Sequence, residues 1–203
     1  MFIYICNMRL RDEQKEQLVR TKALELLVEE GFNGFSMHKL AKAANVSPAT
    51  LYIYFQNKED LIMQLGIEVG QKIHEVTFEG FDFEESFEEG LWKQWKNRAK
   101  YVLENPTSAA FIEQFRNSPY KKKLGPEYFQ AFRNNMKKFV GNAIQKGELI
   151  SLPREVFWTL AFAPLYQLIH FAQDGHNMAG EPFELSEEVM QMTFKQVMKS
   201  LQP

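Results

Sequence analysis

The chain has 203 residues, of which 45% are hydrophobic and 14% aromatic, enough to build one large or two modest hydrophobic cores. Its formal net charge is −2, so attraction to an anionic partner must come from a local cluster of basic residues. The single cysteine, Cys6, excludes an internal disulfide and suits a reducing cytoplasm, where we expect the protein to reside.

The chain begins with MFIYICN, an apolar segment that is too short for a signal peptide and has no basic leader. The sequence leaves open whether Met1 or Met8 is the true start. Apolar residues at helical spacing then predict a first helix from about Asp12 to Glu30, which Gly31 ends.

Two short helices joined by a tight turn follow. Ser36 is placed to cap the first of them, and Asn45 is the expected left-handed residue of the turn, since Asn tolerates positive φ. Ser47 is a second cap, and Pro48 at the first helical position begins a helix that runs to about Phe55. This order of elements is that of a helix-turn-helix, in which the second helix reads DNA.

The charge of this segment supports a role in DNA binding. From Gly31 to Lys58 there is no Asp or Glu, whereas His38, Lys39 and Lys42 are present. Such a patch attracts a phosphate backbone. A helical hairpin with no nucleic-acid role would explain the two caps, but not their coincidence with the acid-free run and with exposed Thr and Tyr residues.

The expected DNA contacts fall into two groups. Those expected to face base edges are Pro48, Ala49 and Thr50, and those expected on the phosphate backbone are Ser36, Lys39, Ser47, Tyr52, Tyr54 and Lys58.

These residues resemble the signature of the TetR-like bacterial transcriptional regulators. The resemblance runs from about Gln14 to Gly66, and its most specific part is SPATLYIYFQNKEDL. The chain departs from the family pattern at Asn45, where glycine is common, at Ala49, where a small residue or glycine is common, and at Tyr54, where histidine is frequent. The resemblance covers about a quarter of the chain.

The remainder of the chain also has helical patterns and almost no strand signals. Asn57 caps a fourth helix long enough to link two domains, and the acidic segment 79–89 should stay clear of DNA. Further helices are predicted near 84–104, 107–117, 126–146, 153–173 and 185–201. We therefore expect an all-α protein of about nine helices, with residues 1–56 as N-terminal arm and three-helix DNA-binding domain and residues 57–203 as a larger ligand-binding and dimerisation bundle.

The last two helices are candidates for a homodimer interface. The helix near 153–173 is apolar nearly all round, and the seam predicted on the helix near 185–201 comprises Val189, Met192, Thr193, Gln196, Val197 and Ser200. A plain internal core would explain the same pattern. The family resemblance implies instead that these helices form a two-fold interface, which would place two DNA-binding domains on a palindromic operator.

Aromatic residues of the middle helices suggest a cavity for a small hydrophobic or aromatic effector. The candidate ligand contacts are Trp92, Trp95, Phe111, Phe115, Phe132, Tyr166 and His170, with the last two as polar anchors. An ordinary core would have the same composition, so this assignment depends mainly on the resemblance.

No catalytic residue, metal site or cofactor is predicted, because the sequence contains no nucleophile elbow, phosphate loop or pair of histidines at i, i+4. The uncharged run from Val156 to Ala172 contains Pro164 and is shorter than a membrane span. The favoured function is a repressor that a small apolar ligand releases from its operator. The alternatives are a DNA-binding protein whose larger domain binds a protein partner, and a helical enzyme or carrier with an incidental helix-turn-helix.

Overall fold

The computed structural model describes the backbone of residues 2–203 and the side chains of residues 13–203. Met1 and the side chains of Cys6 and Met8 lie outside this description, so what the sequence predicts for them stays a prediction. The α-helices of the described chain are α1 (Phe2–Gly34), α2 (Met37–Ala43), α3 (Pro48–Tyr54), α4 (Lys58–Thr77), α5 (Phe87–Glu104), α6 (Pro106–Arg116), α7 (Pro119–Lys123), α8 (Gln130–Gln145), α9 (Arg154–Asp174) and α10 (Glu187–Leu201).

The all-α class is confirmed. Between residues 2 and 203 the extended pairing is limited to one bridge, from His176 to Pro182. None of the helices in the described part of the chain combines the length and apolar character that crossing a bilayer requires.

Several details differ from the sequence prediction. Helix α1 begins at Phe2 and not near Asp12, and it continues past Gly31 to Gly34. The described chain has ten α-helices where about nine were predicted. The stretch from residue 118 to 126, predicted as a break, contains α7, because Ser118 and Pro119 form an N-cap pair that begins a new helix where α6 ends. The helix predicted near 126–146 is divided into a 3-10 helix, Pro126–Phe129, and α8. The division falls at Phe129, whose φ of −116° and ψ of 15° are not those of an α-helix.

The chain forms two compact units. The first comprises residues 1–71 and 106–128, and the second comprises residues 72–105 and 129–203, so α4 contributes residues to both. The functional division predicted between residues 56 and 57 stays a prediction, since compactness does not report what each part does.

In the first unit, α1 packs against α2 and α6, and α2 packs against α3. Gly31, at φ +68° and ψ 172°, interrupts α1 where the sequence predicts its end. Close packing also explains a glycine on α4. A Cβ on Gly66 would lie 2.3 Å from Cζ of Phe115, which is fully buried and stacks on Phe111 at 5.8 Å. Only glycine therefore fits at this position without displacement of the ring.

In the second unit, α9 packs against both α5 and α10, and α8 against α5. The start of α5 is fixed by a capping box between Ser86 and Glu89. Trp95 is fully buried in this core, and its indole Nε1 donates to the carbonyl of Ala161 at 2.8 Å. The core of this unit is thus anchored by an aromatic side chain whose polar atom is satisfied.

Candidate functional sites

The turn between α2 and α3 sets the geometry of residues 36–58, the segment that the sequence predicts to bind DNA. Asn45 adopts φ +52°, the left-handed conformation that the sequence predicts. The amide of Val46 donates to the carbonyl of Ala41 at 3.0 Å, and the amide of Asn45 donates to the carbonyl of Lys42 at 3.2 Å. These two bonds are those of a Schellman motif, which satisfies the last carbonyls of α2 and redirects the chain into α3.

Both predicted serine caps are present. The hydroxyl of Ser36 accepts from the amide of Lys39 at 3.3 Å, and that of Ser47 accepts from the amide of Thr50 at 3.2 Å. The hydroxyls of Ser47 and Thr50 also lie 2.9 Å apart, in hydrogen-bond contact. Thr50 is therefore oriented by the cap at the N-terminal end of α3, the end that reads bases in helix-turn-helix proteins.

The outer surface of α3 exposes large side chains. Tyr52 is 56% exposed and Ile53 is 73% exposed, while Pro48 and Ala49 are exposed as well and Tyr54 is half-buried. Sequence reasoning overlooked Ile53. The signal that would have identified it is an isoleucine on the outer face of a short capped helix, beside tyrosines predicted to touch DNA. An exposed aliphatic side chain at such a position can contact the methyl group of thymine.

Two lysines that the sequence assigns to phosphate have partners within the protein. Lys39 Nζ lies 2.6 Å from a carboxylate oxygen of Glu30 and 3.0 Å from the carbonyl of Gly34. Lys58 Nζ donates to the carbonyls of Phe32 and Phe35, at 2.6 and 2.7 Å. Lys39 thus binds the last turns of α1, and Lys58 binds the last turn of α1 and Phe35, the residue that follows it. Each ammonium group retains a further N–H for another acceptor.

A further cluster in the first unit, centred on Arg20, holds α1, α3 and α4 together. The guanidinium of Arg20 donates to Glu68 and to Gln64, each at 3.0 Å, and lies 5.1 Å from the ring of Phe55, the C-cap residue of α3. The sequence analysis missed this cluster because Arg20 lies 35 or more residues from these three partners and no local pattern connects them.

The seven predicted effector contacts are divided between the two units. Phe111 and Phe115 belong to the first unit, where they form part of its core, whereas the other five belong to the second unit. Trp95 is also fully buried. The hypothesis of an aromatic effector cavity stays a prediction.

The second unit contains an open groove between α8 and the start of α9. Its volume is about 600 Å³. The only member of the predicted set that lines it is Phe132; the other apolar lining residues are Met136, Val140, Leu152, Phe157 and Trp158. A second depression of about 480 Å³ lies beside Trp92 and Phe194. Both volumes are within the range of small-molecule sites.

Arg98, in α5, is a buried cation in the second unit and was not singled out by the sequence. It is 3% exposed and is surrounded by the rings of Phe132, Trp158 and Phe162, at 5.9, 5.5 and 4.5 Å from its Cζ. Its Nη1 donates to the hydroxyl of Tyr166 at 2.9 Å. Tyr166 is thus a hydrogen-bond partner of Arg98 within the protein, and its role as a polar anchor for an effector stays a prediction.

His74, in the last turns of α4, packs edge-on against Phe78 and Phe132. Its Nε2 lies 3.1 Å from the amide nitrogen of Asn135, so the ring accepts this hydrogen bond if Nε2 is unprotonated. Burial lowers the pKa of His74 below its usual value of 6.5, and the nearby Glu75 opposes this shift. Folding therefore favours the neutral imidazole of His74 over the charged form, relative to the unfolded chain.

The predicted dimer seam on α10 divides between two faces. Met192 is 64% exposed, whereas Val197 is 5% exposed and packs in the core of its own protomer. Val197 is therefore not a seam residue, because the side of α10 that carries it faces α9. On α9, Val156 and Ala163 are exposed.

No cluster of three or more His, Cys, Asp or Glu residues placed to hold a metal ion occurs among the described side chains.

Comparison with known proteins gives matches over both parts of the chain. Residues 19–65 match the bacterial regulatory proteins of the tetR family, and residues 88–199 match a tetracyclin repressor-like C-terminal domain. A helix-turn-helix-type transcriptional regulator from Haemophilus influenzae is 29% identical over 182 residues, which cover 87% of this chain and 90% of that protein.

Solved structures agree. A TetR family transcription regulator from Marinobacter aquaeolei has a TM-score of 0.77 at 27% identity, covering 95% of this chain and 98% of that chain. The regulator FadR from Bacillus subtilis, in complex with stearoyl-CoA, has a TM-score of 0.70 over 90% of this chain and 97% of its own. At 19% identity, this second similarity shows the fold alone.

Proposed function

The chain belongs to the TetR family and is a helix-turn-helix transcriptional regulator, and on this premise we propose that it is a repressor that a small apolar ligand releases from a palindromic operator. The observation that carries the proposal is the exposed surface of α3, capped and oriented by Ser47 and placed by a Schellman turn after α2. This arrangement presents the N-terminal end of α3 to a major groove.

The proposed DNA contacts follow the two groups that the sequence defines. Pro48, Ala49 and Thr50 face base edges, and we add Ile53 as an apolar contact to thymine. The backbone group comprises Ser36, Lys39, Ser47, Tyr52, Tyr54 and Lys58. Exposure of Tyr52 and Ile53 supports this assignment, since burying such large apolar surface in the free protein would otherwise be favourable.

Dimerisation through the outer faces of α9 and α10 is part of the same proposal. The exposed side of α9 carries Val156 and Ala163 within a run free of Asp, Glu, Lys and Arg, and α10 exposes Met192. Such a surface suits burial against a second copy. Two DNA-binding domains related by two-fold symmetry then require an operator with inverted half-sites, about one turn of the DNA helix or a multiple of it apart.

An apolar effector is supported by the groove of about 600 Å³ in the second unit. It is supported further by FadR from Bacillus subtilis, which shares this fold and was solved in complex with stearoyl-CoA. For such a ligand to release the operator, it must bind the DNA-incompetent conformation more tightly than the DNA-bound one.

The test is to select operators for the full-length protein from random duplexes and then to compare variants. We expect an inverted repeat. Thr50→Ala should relax the preference at one or two base pairs by about 1–3 kcal/mol, whereas Tyr52→Phe, which removes only a hydroxyl, should weaken all sequences alike. Tyr128→Phe at another exposed tyrosine is the matched control and should change neither.

Failure to select any preferred sequence would contradict the DNA-reading proposal. If an operator is found but no apolar compound alters binding to it, the alternative regulator, whose larger domain binds a protein partner, would be favoured instead.

A further inference from the structure

Arg98 is a buried positive charge for which the described side chains provide no counter-ion. Among the side chains that the structure describes, no carboxylate forms an ion pair with it. Its neighbours are the hydroxyl of Tyr166, three aromatic rings and the side-chain amide of Gln94. Aromatic faces attract a cation but compensate only part of its lost hydration, so an isolated buried guanidinium is destabilising.

Two nitrogen atoms at Arg98 and Gln94 lack hydrogen-bond partners among the described residues, and both are donors. Arg98 Nε and Gln94 Nε2 are both buried and have no hydrogen-bond partner. The contact between Arg98 Nη2 and Gln94 Oε1, at 3.5 Å, is long. Both orphan groups are N–H donors, and the missing partner is therefore an acceptor. An ordered water could satisfy one donor, but it would leave the charge uncompensated.

The donor edge of the guanidinium that Tyr166 does not occupy has a defined shape. Nη1 is engaged by Tyr166, which leaves the edge formed by Nε and Nη2. This edge presents two parallel N–H bonds, the arrangement that binds both oxygens of a carboxylate. Gln94 Nε2, one helical turn earlier on α5, supplies a further donor.

We propose that Arg98 and Gln94 anchor the carboxylate of a monoanionic, otherwise apolar ligand. The inference rests on the proposed effector function and specifies its ligand class. Arg98 is the buried cation and matches a single negative charge, since the other basic residues that line the groove, Arg133, Lys137 and Arg154, are exposed. A phosphate would bring about two charges to this buried edge. The uncharged apolar effector expected from the sequence thus gains an acid group.

The rest of the ligand lies in the groove. Phe132 and Trp158 are shared, since each ring lies within 6 Å of the Arg98 Cζ and each also lines the groove of about 600 Å³. The apolar lining by Met136 and Val140 suits an alkyl chain or an aromatic body. Because Arg98 is 3% exposed, entry of the carboxylate requires one of the two shared rings to rotate.

The experiment compares decanoate with methyl decanoate, two probes of equal chain length that differ in charge, by calorimetry on the full-length protein. Wild type should bind the acid about ten- to a hundred-fold more tightly than the ester, as a charge-assisted bidentate pair provides. Arg98→Met should abolish this preference and leave affinity for the ester unchanged. Arg98→Lys, which retains the charge but not the fork, should retain part of it.

Arg154→Met is the control, because Arg154 also lines the groove but is exposed. It should retain the preference of wild type for the acid. If Arg154→Met abolishes the preference and Arg98→Met does not, the acid binds at the groove mouth and the inference is overturned. Equal affinity of wild type for acid and ester overturns it without any variant, so the result does not depend on whether Arg98→Met folds.

The melting temperature of the unliganded variant gives a second readout. Arg98→Met should melt no lower than wild type, since it replaces an uncompensated buried charge by an apolar side chain of similar length. A large fall would indicate that Arg98 has a structural role. Operator binding is measured in parallel: acid preference without operator binding contradicts the repressor proposal alone, and operator binding without acid preference contradicts the carboxylate anchor alone.

Discussion

Replacing Lys58 by Met removes an ammonium group that binds the end of α1, while the aliphatic part of the side chain remains. The Nζ atom donates to the carbonyls of Phe32 and Phe35 and lies 5.8 Å from the ring of Phe35. A hydrogen bond to a charged group contributes about 1.5–3 kcal/mol. Because Lys58 is half-buried, water can replace part of this, and we take about 1.5–3 kcal/mol for the pair of bonds.

This loss predicts a lower melting temperature. For a chain of this size, 1 kcal/mol corresponds to about 2–4 °C, so Lys58→Met should melt about 3–12 °C below wild type. The substitution also removes a charge that we place on the phosphate backbone. In titrations at several salt concentrations, the slope of log K against log salt should fall by about 0.9.

The two measurements test separate roles. Lys100→Met makes the same chemical change on the exposed surface of α5, in the other unit, and should alter neither quantity. An unchanged melting temperature of Lys58→Met would refute the stabilising role of the two carbonyl bonds. An unchanged salt slope with a lowered melting temperature would remove Lys58 from the proposed DNA contacts and leave it as a residue that positions α1 against α4.

Three further predictions concern the dimer, the packing and the pH dependence. Ala163→Glu, on the exposed side of α9, should yield monomers in sedimentation because it buries an unpaired charge at the proposed interface. The control Ala131→Glu, at an exposed position of α8, should stay dimeric. Dimers from both variants would exclude this interface. Gly66→Ala should lower the melting temperature, since its Cβ would collide with a buried phenyl ring at a cost of about 1–3 kcal/mol. Gly141→Ala, whose Cβ meets no atom within 4 Å, should raise the melting temperature. A rise in both variants would contradict the packing argument. Burial lowers the pKa of His74 in the folded state, so the unfolded state binds the proton more readily. The urea midpoint of unfolding should therefore fall as pH drops below about 6.5. The same dependence of the midpoint on pH in His74→Gln would show that another group is responsible.

Much of the DNA-reading segment is encoded by interactions that span four residues or fewer. The caps at Ser36, Ser47 and Asn57 and the left-handed turn at Asn45 each depend on one side chain and a backbone amide or torsion close by. Local interactions of this kind leave a pattern in the sequence that physical rules can read directly. The sequence therefore determined the helix-turn-helix, its boundaries and the all-α class.

Tertiary structure decided which partners the charged and aromatic side chains have. The sequence does not show that Lys58 binds carbonyls at the end of α1 and just after it, because those carbonyls lie 26 and 23 residues away. The sequence also does not show that Phe115 belongs to the first compact unit and Phe132 to the second, since aromatic residues at helical spacing have the same pattern in both units. Nor does it identify Arg98, which lies among charged neighbours on α5 and is distinguished only by burial. Burial and the choice of a distant partner depend on how helices pack, and this packing is a property of the whole chain.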